Sequence, residues 1–161
     1  MRHPSSIANG HHRVALAKRL GDVDMEAYIL ESKDGYTFEK ARKVGAELNI
    51  MEGQGDIYDH AEYFRQEKGI TREQAGSRKL QKSSFAVGRD LEGEAYAAFA
   101  NKRITAAQAI GIATGAPKNE GVQATALVYL SRNPRATELE TANFVRLENY
   151  HMKWFKYERS D

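Results

Sequence analysis

From Thr37 to the C-terminus, apolar residues recur three and four positions apart over one stretch after another. That period places them on single faces of helices and leaves little room for sheet in this part of the chain. Thr37 is a plausible N-cap with Glu39 in the first turn, and it opens a run of Phe38, Ala41, Val44 and Leu48. Gly53-Gln54-Gly55-Asp56 breaks that run, and Ile57, Ala61 and Phe64 mark a second helix ended by Gly69. Thr71 is expected to cap a short third helix, and Ser83 or Ser84 to open a fourth. Tyr96 and Phe99 fall on a fifth, Thr105 starts a sixth through Ile110, and Ala116-Pro117 forms a boundary. Val122, Ala126 and Tyr129 or Leu130 define a seventh helix, and the last runs from about Thr137 to near the end.

Strand signal is confined to the first residues. Val23 to Leu30 alternates apolar and polar residues at its start, and Ser6-Ile7-Ala8 has the length of a second, short strand. Between them Val14, Ala17 and Leu20 carry helical spacing. The order strand, helix, strand, then helices alone gives an α+β expectation that is predominantly α-helical: a small N-terminal βαβ remnant followed by a helical bundle. The expected divisions are 1–35 for the remnant, 36–135 for a helical domain and 136–161 for a C-terminal helix used in packing or oligomerisation. Two strands make a poor sheet alone, so further strands would have to precede Ile7 or come from another chain.

Composition removes several function classes. The chain of 161 residues contains no cysteine, which excludes disulfides, thiolate catalysis and cysteine-ligated zinc. Its formal net charge is only +2, so any surface for a polyanion must be local. No apolar run approaches the roughly 20 residues that span a bilayer, and the N-terminus lacks the apolar stretch of a signal peptide. A cytoplasmic protein that does not enter membranes is the expectation.

Two segments carry chemistry. Asn9-Gly10-His11-His12-Arg13 sits between the first expected strand and its helix. There a glycine lets backbone approach an anion, helix N–H groups point at it, and Arg13 offers a planar fork for phosphate. His11 and His12 could donate hydrogen bonds or move protons, and they are the only candidate catalytic groups. A metal site built from His3, His11 and His12 is disfavoured, because no carboxylate stands at the spacing a helical site uses. The second segment is Thr71 to Arg89, whose basic residues are Arg72, Arg78, Lys79, Lys82 and Arg89 against one acid, Glu73. Lys79 and Lys82 with Ser83 and Ser84 suit phosphate contacts at the start of a recognition helix, and Arg89 is long enough to reach base edges. A solvated helix face is the competing explanation.

The stretch Ile7 to Gly21, reading I-A-N-G-H-H-R-V-A-L-A-K-R-L-G, resembles the second conserved box of ParB-like proteins. There a strand leads into a glycine-histidine/arginine turn, an Ala/Leu-rich helix and another strand. Asn49 to Ala61 occupies the place of the family's third box, with Asn49 and the spacing to Ala61 matching. Met51 and Glu52 stand where the family carries glutamine and arginine. Gly69 to Ala75 resembles the start of its helix-turn-helix, and the order continues to Ala109. The resemblance implies a DNA-binding protein linked to plasmid, phage or mobile-element DNA. It also implies a nucleotide pocket for CTP with Mg2+, drawn from Asn9, Gly10, His11, His12, Arg13 and Asn49. Glu52 in place of arginine repels phosphate and could instead favour a metal ion.

On the last helix Phe144, Leu147, Tyr150, Trp154 and Tyr157 form an aromatic-rich stripe, suited either to packing on earlier helices or to a homodimer or partner surface. Three functions therefore compete. One is non-catalytic binding of duplex DNA. Another is a nucleotide hydrolase or nuclease that uses the Gly-His-His-Arg turn. The last is a protein-interaction module.

Overall fold

The computed structural model describes residues 11–21, 24–27, 29, 31–52 and 54–158, and for residues 11, 12 and 155–158 only the backbone. Among them the chain is all helical. The helices are α1 (His11–Leu20), α2 (Phe38–Glu52), α3 (Ile57–Gln66), α4 (Lys79–Asp90), α5 (Gly93–Ala100), α6 (Ala106–Gly115), α7 (Glu120–Arg132) and α8 (Glu138–Glu158). The chain divides into two compact units, residues 1–54 and 55–161.

The first unit holds α1, a single 3-10 turn at Ser32–Asp34 and α2. Among the described residues the expected βαβ remnant is absent. Asp24–Ala27 and Ile29 have no regular structure, and Met25 and Ile29 are 42% and 80% exposed. The alternation of Val23–Leu30 had suggested a half-buried strand, but a strand needs a neighbour to pair its N–H and C=O groups. No described residue forms one. The other expected strand, Ser6–Ala8, lies outside the described residues.

The second unit is a bundle of six helices whose ends follow from local chemistry. Asp56 caps α3 by accepting from the N–H groups of Tyr58 at 2.8 Å and Asp59 at 3.0 Å. Helices α6 and α8 both open with a reciprocal box. Thr105 Oγ1 accepts from Gln108 N–H at 3.2 Å while Gln108 Oε1 accepts from Thr105 N–H at 2.9 Å. Thr137 and Glu140 repeat the arrangement at 3.2 and 2.8 Å.

The core is made of small and medium side chains, with Phe64, Leu91, Phe99, Ile112, Val122 and Val145 fully buried among many alanines. Small residues let helix backbones approach closely. A Cβ at Gly111 would lie 2.6 Å from the Glu138 carbonyl oxygen and 2.9 Å from Thr141 Cβ, and one at Gly115 would meet Val145 and Ala142. The contacts advance together along α6 and α8, so these two helices run parallel. Helix α7 returns antiparallel to α8, with Tyr129 stacked on Phe144 at 4.1 Å near one end and Asn119 Nδ2 donating to Asn149 Oδ1 at 2.9 Å near the other. Gly88 on α4 sits directly against the backbone of α3 at Ala61 and Arg65.

One buried polar side chain ties three segments together. Gln123 Nε2 donates to the carbonyls of Asp90 at 2.7 Å and Ala116 at 2.8 Å, and its Oε1 accepts from Glu92 N–H at 2.8 Å. These backbone groups lie at breaks between helices, where no helical partner exists for them.

The helix-turn-helix expectation is also corrected. Thr71–Ala75 is a single turn, closed by Ala75 N–H on the Thr71 carbonyl at 3.0 Å, and not a helix. Helix α4 begins at Lys79, four residues before the serines expected to open it. Gly76, at φ 108°, stops the turn from extending, and Gln81 reaches back to accept from Arg78 N–H at 3.1 Å, so the helix starts there.

Candidate nucleic-acid interface

Residues 68–89 hold six basic side chains, Lys68, Arg72, Arg78, Lys79, Lys82 and Arg89, and one acid, Glu73. The fold sorts them into two groups. Arg72 and Arg89 are fixed by partners. Arg72 Nη2 donates to Asp90 Oδ2 at 3.0 Å, and Arg89 donates to the carbonyls of Phe64 at 3.5 Å, Glu67 at 3.4 Å and Lys68 at 2.8 Å. Those carbonyls end α3, so Arg89 satisfies acceptors that the helix itself leaves open and complements its dipole. Both guanidinium groups also flank the Phe85 ring, at 5.5 and 5.7 Å from its centroid.

Arg78, Lys79 and Lys82 are exposed at the first turns of α4. Ser83 is half-buried beside them, while Ser84 is fully buried and spends its hydroxyl on the Leu80 carbonyl at 2.6 Å. Gln81, Phe85, Ala86, Val87, Gly88 and Asp90 are buried as well. Helix α4 is therefore a core helix whose N-terminal end alone is presented with positive charge. Glu73 stays ionised nearby: hydrogen bonds from its own backbone N–H and from Thr71 hold its carboxyl below the usual range, and Arg72 adds to this.

The nucleotide-site residues are less gathered. Asn9 and Gly10 lie outside the described residues, as do the side chains of His11 and His12. Arg13 is exposed in the first turn of α1, Asn49 is half-buried on α2, and Glu52 is exposed at its end. Among the described residues no group of three or more His, Cys, Asp or Glu side chains could hold a metal ion. No helix among them is long and apolar enough to cross a membrane.

The stripe on α8 splits. Phe144 packs inward on Tyr129, whereas Leu147, Tyr150 and Trp154 are 60%, 64% and 55% exposed; the side chain of Tyr157 lies outside the described ones.

Two features had no signal in the sequence. Arg65 bonds the carbonyls of Gly88 at 3.4 Å and Leu91 at 2.9 Å with its guanidinium 3.9 Å over the Tyr96 ring. An open cleft of about 560 Å3 lies between Tyr58, Lys102, Thr105, Gln108, Leu130 and Pro134. Its polar groups are committed internally: Gln108 Nε2 bonds the Pro134 and Ala136 carbonyls at 2.9 and 3.2 Å, and Lys102 lies 5.1 Å over the Tyr58 ring.

No family model, curated protein or solved structure matches the chain. Together with the absence of strand among the described residues, this overturns the resemblance to ParB-like proteins. Its short boxes of glycine, alanine and leucine around helix starts reflect helix-forming chemistry that any helical bundle shares.

Proposed function

We propose that the helical unit binds duplex DNA without catalysis, through the phosphate backbone and the N-terminal end of α4. One observation carries this reading: the most basic stretch of a nearly neutral chain has three cations, Arg78, Lys79 and Lys82, at one exposed helix end. The helix N-terminus adds backbone N–H groups and the positive end of its dipole. Such contacts position a protein on DNA and carry no sequence information by themselves. With most of α4 buried, little of it is left to enter a groove, so the binding is expected to be sequence-tolerant and strongly salt-dependent.

Fluorescence anisotropy with a labelled random duplex tests this. Neutralising three phosphates gives a slope of log affinity against log salt of about −3, and the double variant Lys79→Glu/Lys82→Glu flattens it by about 2 units while weakening binding at low salt. Absence of binding at low salt, or an unchanged slope in the double variant, would refute the proposal.

A further inference from the structure

The cleft beside the α5–α6 and α7–α8 turns has the size of a small-molecule site, about 560 Å3 against roughly 300–1,000 Å3 for such sites. Ala98, Ile104, Leu130 and Pro134 give it apolar walls. Its lining holds two cations, Lys102 and Arg103, and no acid. Arg103 pairs with Glu94, which does not line the cleft. Two more arginines, Arg132 and Arg135, are exposed beside Pro134. Residues 95–119 and 131–137 contain no acid at all. The acids that follow are placed or used otherwise: Glu140 is held by Thr137, Glu62 accepts from Gln66, and neither these nor Asp59 and Glu138 line the cleft.

The polar groups of the lining differ in how far the fold uses them. Gln108 is used in full, by the Thr105 N–H and by the Pro134 and Ala136 carbonyls. Lys102 is held over one face of the Tyr58 ring, whose other face stacks on Phe99 at 4.5 Å. That contact is one of charge alone and takes none of the ammonium N–H groups. Thr105 Oγ1 accepts from Gln108 N–H, which leaves its O–H to donate. We propose that this cleft binds a small organic anion, with an apolar body of one or two rings against the walls and a carboxylate or phosphate group at Lys102 and Thr105. An uncharged ligand leaves the ammonium unmatched, and a bare inorganic anion gains nothing from the walls. No residue of α4 lines the cleft, so this site is independent of the DNA reading.

Lys102 also offers a variant that spares the fold. Its backbone is left-handed, at φ 56°, where Lys102 N–H bonds the Phe99 carbonyl at 2.9 Å and Arg103 N–H bonds the Ala98 carbonyl at 2.8 Å. Glycine is favoured at such a helix end, so Lys102→Gly removes the ammonium and raises the melting temperature by up to about 4 °C. Amide shifts of the full chain are followed by proton–nitrogen correlation NMR during titration with naphthyl phosphate, naphthoate, uncharged naphthol and inorganic phosphate. The expected result is saturable shifts at residues 102–108 and 130–136 with both naphthyl anions, at a dissociation constant of about 0.1–1 mM. Naphthol and inorganic phosphate bind about tenfold more weakly or not at all, and Lys102→Gly weakens both naphthyl anions by about tenfold. Ser131→Trp, which places an indole in the cleft, abolishes their shifts. Whichever naphthyl anion binds more tightly identifies the head group as carboxylate or phosphate. The proposal is overturned by the absence of saturable shifts at these residues, by naphthol or inorganic phosphate binding as tightly as the naphthyl anions, or by binding that either variant leaves unchanged.

Discussion

Replacing Gly88 by alanine separates helix propensity from packing. Inside a helix this exchange ordinarily stabilises by about 1 kcal/mol, because glycine loses more backbone entropy on folding. At Gly88 the added Cβ would press on the Ala61 carbonyl oxygen, and it would lie 3.1 Å from the Ala61 carbonyl carbon and 3.2 Å from Arg65 N. All three are backbone atoms of α3, so no side chain can swing aside and the two helices must separate. Overpacking of this kind costs about 1–3 kcal/mol, and moving α3 also loosens the Arg65 and Arg89 bonds that join it to α4. The net expectation is a loss of about 1–2 kcal/mol. The control is Gly121→Ala in the first turn of α7. There the nearest atom to the new Cβ is the mobile Met152 Cε at 3.5 Å, and the exchange is neutral or stabilising by up to about 1 kcal/mol. Urea unfolding of both variants, followed by far-UV circular dichroism, gives the two signs. If Gly88→Ala matches or exceeds the wild type in stability, the close approach of α3 and α4 is refuted.

Other perturbations have equally definite outcomes. Gln123→Leu keeps the volume roughly constant but takes the partner from Glu92 N–H, while the Asp90 and Ala116 carbonyls keep the N–H groups of Lys118 and Asn119, and it destabilises by about 1–3 kcal/mol in the same assay. A loss below about 0.5 kcal/mol would mean that Glu92 N–H finds another partner. The Glu140 carboxyl is held below the usual carboxylate pKa by the Thr137 N–H and then by its hydroxyl. Its contribution to the start of α8 is therefore complete above the ordinary carboxylate range and is lost as pH falls through the lowered value. Glu140→Gln keeps a capping acceptor and should flatten the acid limb of the stability profile; an unchanged limb would count against the box.

The helices beginning at Thr105 and Thr137 were legible because their signals are local: a threonine followed three residues later by glutamine or glutamate, then apolar residues at helical spacing. The errors arose where tertiary structure decides. Alternation in Val23–Leu30 suggested a strand, yet nothing local can supply the neighbour that a strand requires. Ser83 and Ser84 looked like caps by residue type, but the turn before them is closed by Gly76 and Gln81, and Ser84 is committed to the core. Within the basic segment the charge was legible, but not the difference between Lys79 and Lys82, which face solvent, and Arg72 and Arg89, of which Arg72 ties the preceding turn to Asp90 on α4 and Arg89 ties α4 to the end of α3. That distinction depends on a carboxylate and carbonyls about twenty residues away. Helix propensity alone counts Gly88 as unfavourable, whereas the backbone it accommodates belongs to another helix.

The parallel run of α6 and α8 has a consequence for how the unit assembles. Gly111 and the Glu138 carbonyl that lies against it are 27 positions apart, with all of α7 between them. A chain segment of that length must close before the glycine floor of α6 is covered, whereas α7 against α8 is a simple hairpin. The α7–α8 hairpin is therefore expected to form early and to dock on α6 as a unit. An early intermediate would carry a bare, nearly side-chain-free track along α6, to which the corresponding hairpin of another chain would fit as well as its own. At high concentration during refolding, exchange of that hairpin between chains is the characteristic misassembly such a track invites.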